Sequence, residues 1–124
     1  MMKAVAVALL VLVLFSLTVS ALPRDLSSVR SAAERGEPEA EKTLGVYYEL
    51  GLTVRQDTAE AVKWYRLAAE HGNAEAQFSL GDMYEEGRGV PQDKSAARSW
   101  FEKACGNGLS CGCRRARSLL DQGY

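Results

Sequence analysis

Apolar and small residues recur along most of this chain with a helical rather than a strand period. Ala40, Leu44 and Tyr48 stand at i, i+4 steps, which predicts a helix with one apolar stripe. Ala61, Trp64, Tyr65 and Ala68 form the apolar face of a second helix shortly after it. Gly51 follows the first stripe and Gly72 the second, where a left-handed C′ residue ends a helix. Asp57 is placed to N-cap the second helix, and Asp57 with Glu60 resembles a capping box. Gly36 followed by Pro38 makes the same stop-and-restart upstream. The pattern is that of an all-α chain built from paired helices.

The pairing repeats. Shifted by 36 residues, Ala40–Asn73 falls on Ala76–Leu109, and 13 of the 34 positions are identical. Chance alone gives about two or three. Leu44, Gly45, Tyr48, Glu49, Gly51, Asp57, Ala61 and Trp64 are among the identities, and Tyr65 meets Phe101 as a further aromatic pair. Gly87 and Asp93 thus repeat the stop and the cap. The register extends upstream, where Ala32, Ala33, Glu34 and Gly36 match Ala68, Ala69, Glu70 and Gly72. Downstream, 112–120 falls where a third first-helix would lie. The chain therefore reads as helices B, A-B, A-B, A, about two and a half units of an antiparallel α/α solenoid. An orphan helix B is expected at 26–36, repeats at 38–72 and 74–108, and a terminal helix at 112–122. Small residues at Gly45, Gly81, Ala61 and Ala97 let helices A and B approach closely, while Trp64 and Trp100 fill the space between units.

The first 21 residues have a different character. Lys3 is followed by the uncharged apolar stretch Ala4 to Leu17, and Val19-Ser20-Ala21 puts small residues at a cleavage site. The apolar run is shorter than the ~20 residues a membrane span needs, so residues 1–21 are expected to be a signal peptide cleaved before Leu22. The solenoid then occupies 22–124, with no membrane span left after cleavage. No Cys follows the run, which speaks against a lipid anchor.

Composition changes this picture little. Hydrophobic residues make up 47% and charged residues 25%, as in an ordinary globular or repeat protein. The chain has 15 basic and 16 acidic residues, and losing Lys3 with the leader leaves 14 against 16. That balance gives no reason to expect nucleic acid, which requires a basic face. Arg114, Arg115 and Arg117 are the local exception, and read as a solvated face of the terminal helix.

The pattern Ala-x3-Leu-Gly-x2-Tyr-x2-Gly, then Val-x-Gln-Asp-x3-Ala-x2-Trp-(Tyr/Phe)-x2-Ala, resembles the Sel-one-like repeat, a relative of the tetratricopeptide repeat. Residues 76–108 match it nearly throughout. In the first unit Leu52-Thr53 stands where Arg88-Gly89 completes the Gly-x-Gly turn, so a less regular A–B loop is expected there. The resemblance implies a tetratricopeptide-like superhelix acting as a scaffold or adaptor for a protein or peptide, with the A helices lining its concave face. Carried over by register, the groove positions are Lys42, Val46 and Glu49, then Phe78, Asp82 and Glu85, then Arg114. Phe78 flanked by acidic residues would suit an apolar-plus-basic peptide, unless it packs under a neighbour. A self-assembling module, stacked end to end as a dimer, is an alternative for so short an array.

Cys105, Cys111 and Cys113 crowd the C-terminus. No His lies near them, and Cys-x5-Cys-x-Cys is not a recognised zinc spacing, so no metal site is expected. In the repeat register Cys105 takes the Ala69 position and Cys113 the Gln77 position. The Cys-x7-Cys spacing is similar to that of small exported cysteine-rich bacterial members, which implies a Cys105–Cys113 disulfide stapling helix B to the next helix A. A Cys105–Cys111 bond is the alternative; with the first pairing, Cys111 is free. The same relatives suggest a bacterial source and a periplasmic or secreted location. Some are described as penicillin-binding or β-lactamase-like, but Ser-x-x-Lys, Ser-Asp-Asn and Lys-Thr-Gly are all absent here. His71, the single histidine, aligns with Asn107 in an inter-unit turn and reads as a solvated residue. No catalytic residue and no cofactor is expected.

Overall fold

The computed structural model describes residues 25–124, so the expected leader and its cleavage site lie outside the described residues. Six helices follow one another: α1 Leu26–Glu34, α2 Pro38–Leu50, α3 Thr58–Glu70, α4 Ala74–Glu86, α5 Lys94–Gly106 and α6 Ser110–Asp121. No strand occurs among the described residues. Each helix packs on the next in chain order, and the array is a solenoid. In repeat terms α1, α3 and α5 are B helices, and α2, α4 and α6 are A helices.

The two full repeats are nearly superimposable at their signals. Gly51 and Gly87 both cap an A helix at φ 69, ψ 38. Asp57 accepts from the Glu60 amide, and Asp93 from the Ala96 amide. The reciprocal half of a capping box is not made. Glu60 turns its carboxylate to Lys63 at 3.1 Å, and the Asp57 amide donates instead to Tyr48 O, tying helix B to the end of helix A.

Helix α1 ends at Glu34 rather than running to 36. Gly36 sits at φ 80, its amide bonds Ala33 O, and the Glu37 amide reaches Ala32 O, closing a Schellman motif. At the other end α6 begins at Ser110, ahead of the expected 112. Leu109 stands where Asn73 caps α4, so α6 starts in register without a side-chain cap.

The first A–B loop is as regular as the second, contrary to the expectation for Leu52-Thr53. Thr53 adopts φ 60 and Gly89 φ 69, so a β-branched residue is held in left-handed backbone. The second glycine answers a different need. A Cβ on Gly89 would lie 2.5 Å from Thr58 O in the first turn of α3, whereas the Thr53 side chain is exposed. Packing against the preceding repeat, not the turn, requires glycine there.

Three buried clusters run along the array. Val29, Ala32, Ala33, Ala40 and Leu44 form the first, with Trp64 packed on it. Tyr65, Ala68, Leu80 and Met83 belong to the second, with Trp100 against it, and Phe101, Ala116 and Leu119 to the third. Within each repeat one aromatic ring lies flat against a glycine. A Cβ on Gly45 would come within 2.8 Å of Tyr65, and one on Gly81 within 2.7 Å of Phe101.

Candidate functional site on the A-helix face

The A helices are joined along one side by cations, each set between two carboxylates. Lys42 Nζ lies 2.8 Å from Glu39 and 2.6 Å from Glu75, linking α2 to α4. Asn73 adds a second link, donating to Glu39 at 2.6 Å. Arg88 reaches Glu49 and Glu86, both at 2.7 Å. Arg115 of α6 contacts Asp82 at 3.0 Å and also bonds Glu85, linking α6 to α4. Because these pairs are partly exposed, each contributes modestly to stability, on the order of 0.5 kcal/mol.

Charge is unevenly spread over the helices, and α6, with Arg114, Arg115 and Arg117 against Asp121, is the basic exception among the A helices. α2 and α4 together carry seven acids against the single base Lys42, while α1, α3 and α5 carry four acids and six bases. Apart from Glu41, which is buried, six of these acids leave the side formed by α2 and α4 acidic, and Lys42, Arg88 and Arg115 neutralise only part of it.

The expected groove residues separate into four groups. Phe78, Asp82 and Glu85 come together around Arg115, whose guanidinium lies 5.9 Å from the Phe78 ring centre and 5.0 Å from that of Phe101. Lys42 and Glu49 are held in the ion pairs just described. Val46 packs instead against the second core cluster, and Phe78 is half-buried on the third, its ring 5.2 Å from Phe101. Arg114 is exposed, and the arginine that enters the site is its neighbour Arg115. Glu39, Glu75 and Arg88 were also missed. Their signal was the repeat itself, since Glu39 and Glu75 occupy one position of the unit and Arg115 replaces Ser79.

Two groups at this face have displaced acid–base chemistry. Burial, with the carboxylate of Glu49 accepting its proton at 2.6 Å, pushes the Tyr65 hydroxyl well above the ordinary phenol range. Burial likewise raises the Asp82 carboxyl; Arg115 opposes the shift, and Glu86 and Glu85 add to it. The Arg115 contact to Asp82 is an ion pair without a hydrogen bond, since Asp82 Oδ1 is buried and accepts none.

The junctions between repeats are tied at one recurrent position. Gln77 donates from Nε2 to Ala69 O at 3.0 Å and accepts from Asn107 at 2.9 Å. One repeat earlier Glu41, 1% exposed, meets His71 Nδ1 at 2.8 Å. His71 is thus a partner of a buried carboxylate and not merely a solvated turn residue. One repeat after Ala69 and Gln77, their two positions are Cys105 and Cys113, joined as a disulfide with Cα atoms 4.7 Å apart. Cys111 is a free, half-buried thiol. Among the described residues no group of three or more His, Cys, Asp or Glu side chains is placed to hold a metal, and no helix is long and apolar enough to cross a membrane.

Residues 38–73 and 74–109 each match the Sel1 repeat, together more than half of the chain, and the protein belongs to the Sel1 repeat family. No curated protein matches it. Among solved structures it is similar to a protective antigen of uropathogenic Escherichia coli strains displaying an SLR fold, at 43% identity and TM-score 0.74 over 77% of this chain. A Sel1 repeat protein from Oxalobacter formigenes matches at 35% and 0.75 over 77%. Cysteine rich protein B of Helicobacter pylori matches at 29% and 0.67 over 68%. The chain spans only 21%, 39% and 64% of those three chains. The fold is one that generally mediates protein–protein interaction.

Proposed function

We propose that this is an exported helical-repeat scaffold that holds a protein or peptide partner on the concave face lined by α2, α4 and α6. The observation that carries the reading is the acidic character of α2 and α4: Glu39, Glu49, Glu75, Asp82, Glu85 and Glu86 against the single base Lys42, beside the half-buried ring of Phe78. A solvated solenoid surface has no need to sort its charges this way, whereas a binding face gains encounter rate and orientation from it. Export is supported by the Lys3 and Val19-Ser20-Ala21 pattern, by the Cys105–Cys113 disulfide and by likeness to a cysteine-rich relative.

End-to-end assembly is the weaker reading. In α6 the position of Gly45 and Gly81 is Arg117, so the gap that receives Tyr65 and Phe101 within the array is filled by a long side chain where α1 of a second copy, with Val29 at the ring position, would have to pack. A second copy stacked in register would meet that side chain.

Phe78→Ala and Glu85→Lys are the direct test, read by partner binding together with a thermal melt. Weakened binding with an unchanged melt supports the concave face. A sharp loss of melting temperature in Phe78→Ala would assign that residue to the core instead. Intact mass of protein recovered from outside the cytoplasm tests export, with Leu22 expected at the N-terminus and a retained Met1 refuting cleavage.

A further inference from the structure

We propose that the Phe78–Asp82–Glu85 edge anchors the partner, taking one of its basic side chains beside an apolar one, in a place that Arg115 holds in the free protein. This rests on the concave-face reading above. It comes from comparing one repeat position in its two copies.

In the first repeat Glu49 is complete. The Tyr65 hydroxyl donates to one oxygen at 2.6 Å and Arg88 to the other at 2.7 Å. Val46, one turn earlier, brings no charge.

Around Glu85, the equivalent of Glu49, three positions differ from those around Glu49. Phe101 replaces Tyr65 and removes the hydroxyl. Arg115 replaces Ser79 and reaches over the Phe101 ring, 5.0 Å away, to Glu85. Asp82 replaces Val46 and sets a second carboxylate against the same guanidinium, 3.0 Å away. Two carboxylates therefore share one cation, where the first repeat gave one carboxylate both a cation and a hydroxyl.

The mismatch is visible at Asp82, whose buried Oδ1 accepts no hydrogen bond and whose side chain is only 23% exposed. A desolvated carboxylate left in this state costs free energy in the free protein. A partner cation that takes the place of Arg115 and aims a donor at Oδ1 removes that cost. Phe78 then offers its ring to the cation or to the apolar group next to it. Acidic or uncharged segments gain nothing from the arrangement, so the same edge that attracts a basic segment rejects them.

The test is selection of a displayed library of random linear peptides on the purified protein. Enriched peptides should carry Lys or Arg beside an apolar residue, and should lose affinity as salt rises. On Asp82→Val, which installs the first repeat's residue, their binding should weaken about tenfold, while the thermal melt holds or rises because the unsatisfied carboxylate is gone. Glu70→Gln, an exposed carboxylate on the B helix α3, should leave it alone. Arg115→Ser, the residue that α4 carries at this position as Ser79, should tighten it, because the placeholder is gone. A merely structural arginine would give a loss on Arg115→Ser, and that result overturns its role. Enriched peptides without a cation, or equal binding to Asp82→Val, overturn the proposal while leaving a peptide-binding face in place. Failure to enrich any peptide sinks the concave-face reading itself, and this inference with it.

Discussion

Gly89→Ala separates the two reasons a turn can demand glycine. Gly72 and Gly89 both have left-handed backbone, at φ 88 and 69, but nothing lies within 4 Å of a Cβ built on Gly72. Gly72→Ala therefore reports the backbone penalty by itself, about 1 kcal/mol for a non-glycine residue in that region. At Gly89 the added carbon meets Thr58 O at 2.5 Å, Thr58 C at 2.8 Å and Val62 Cγ2 at 3.0 Å. Two of those three atoms are helix backbone and cannot step aside without moving the repeat, so overpacking adds roughly 2 kcal/mol. The expected losses are thus about 1 kcal/mol for Gly72→Ala and about 3 kcal/mol for Gly89→Ala. In an array of this size the difference corresponds to about 10 °C in Tm. Urea unfolding followed by circular dichroism measures both, with the m-value checking that the unfolded states are comparable. The same reasoning gives the opposite sign at Thr53→Gly, where relief of the strained threonine should exceed the entropy cost of glycine by about 1 kcal/mol. Equal losses at Gly72 and Gly89 would refute the argument, because they would mean the turn alone sets the requirement.

Other perturbations follow from the same geometry. The disulfide closes a sequence separation of 8, and loop entropy predicts a loss of about 2.5 kcal/mol for Cys105→Ser or Cys113→Ser under oxidising conditions. Cys111→Ser should cost nothing, reductant should erase the contrast, and a peptide map joining Cys105 to Cys111 would contradict it. Arg117→Gly restores the small residue that a stacking helix B needs, so sedimentation should show concentration-dependent association in that variant and none in the parent. Association of the parent at similar strength would reverse the assignment. Because the Tyr65 phenol is held above its ordinary value of 10.0, the unfolded chain gives up that proton first as pH rises. The contribution is intact below pH 10 and declines above it, so Tyr65→Phe should flatten the alkaline fall in stability; an unchanged slope would count against the Glu49 hydrogen bond.

Much of this protein is written in its local signals. The 36-residue period, the caps at Asp57 and Asp93 and the stops at Gly51 and Gly87 are decided by neighbours within a few residues, which is why helix number, order and pairing were legible. Gly45 and Gly81 were legible as points of close approach, because a helix interior retains glycine only for a packing reason. The candidate site was legible in part. Register alone placed Phe78, Asp82 and Glu85 on one helix, and the structure joins them. It could not say that Arg115 rather than Arg114 turns toward them, because adjacent helix positions differ by about 100° and the choice depends on how α6 sits against α5. Nor could it say that His71 meets Glu41, since that contact spans 30 residues and depends on two repeats being stacked. Thr53 shows the limit from the other side. Its sequence departs from the glycine of the second turn, yet the backbone is the same, because packing over the whole array sets the turn and a local preference worth about 1 kcal/mol yields to it.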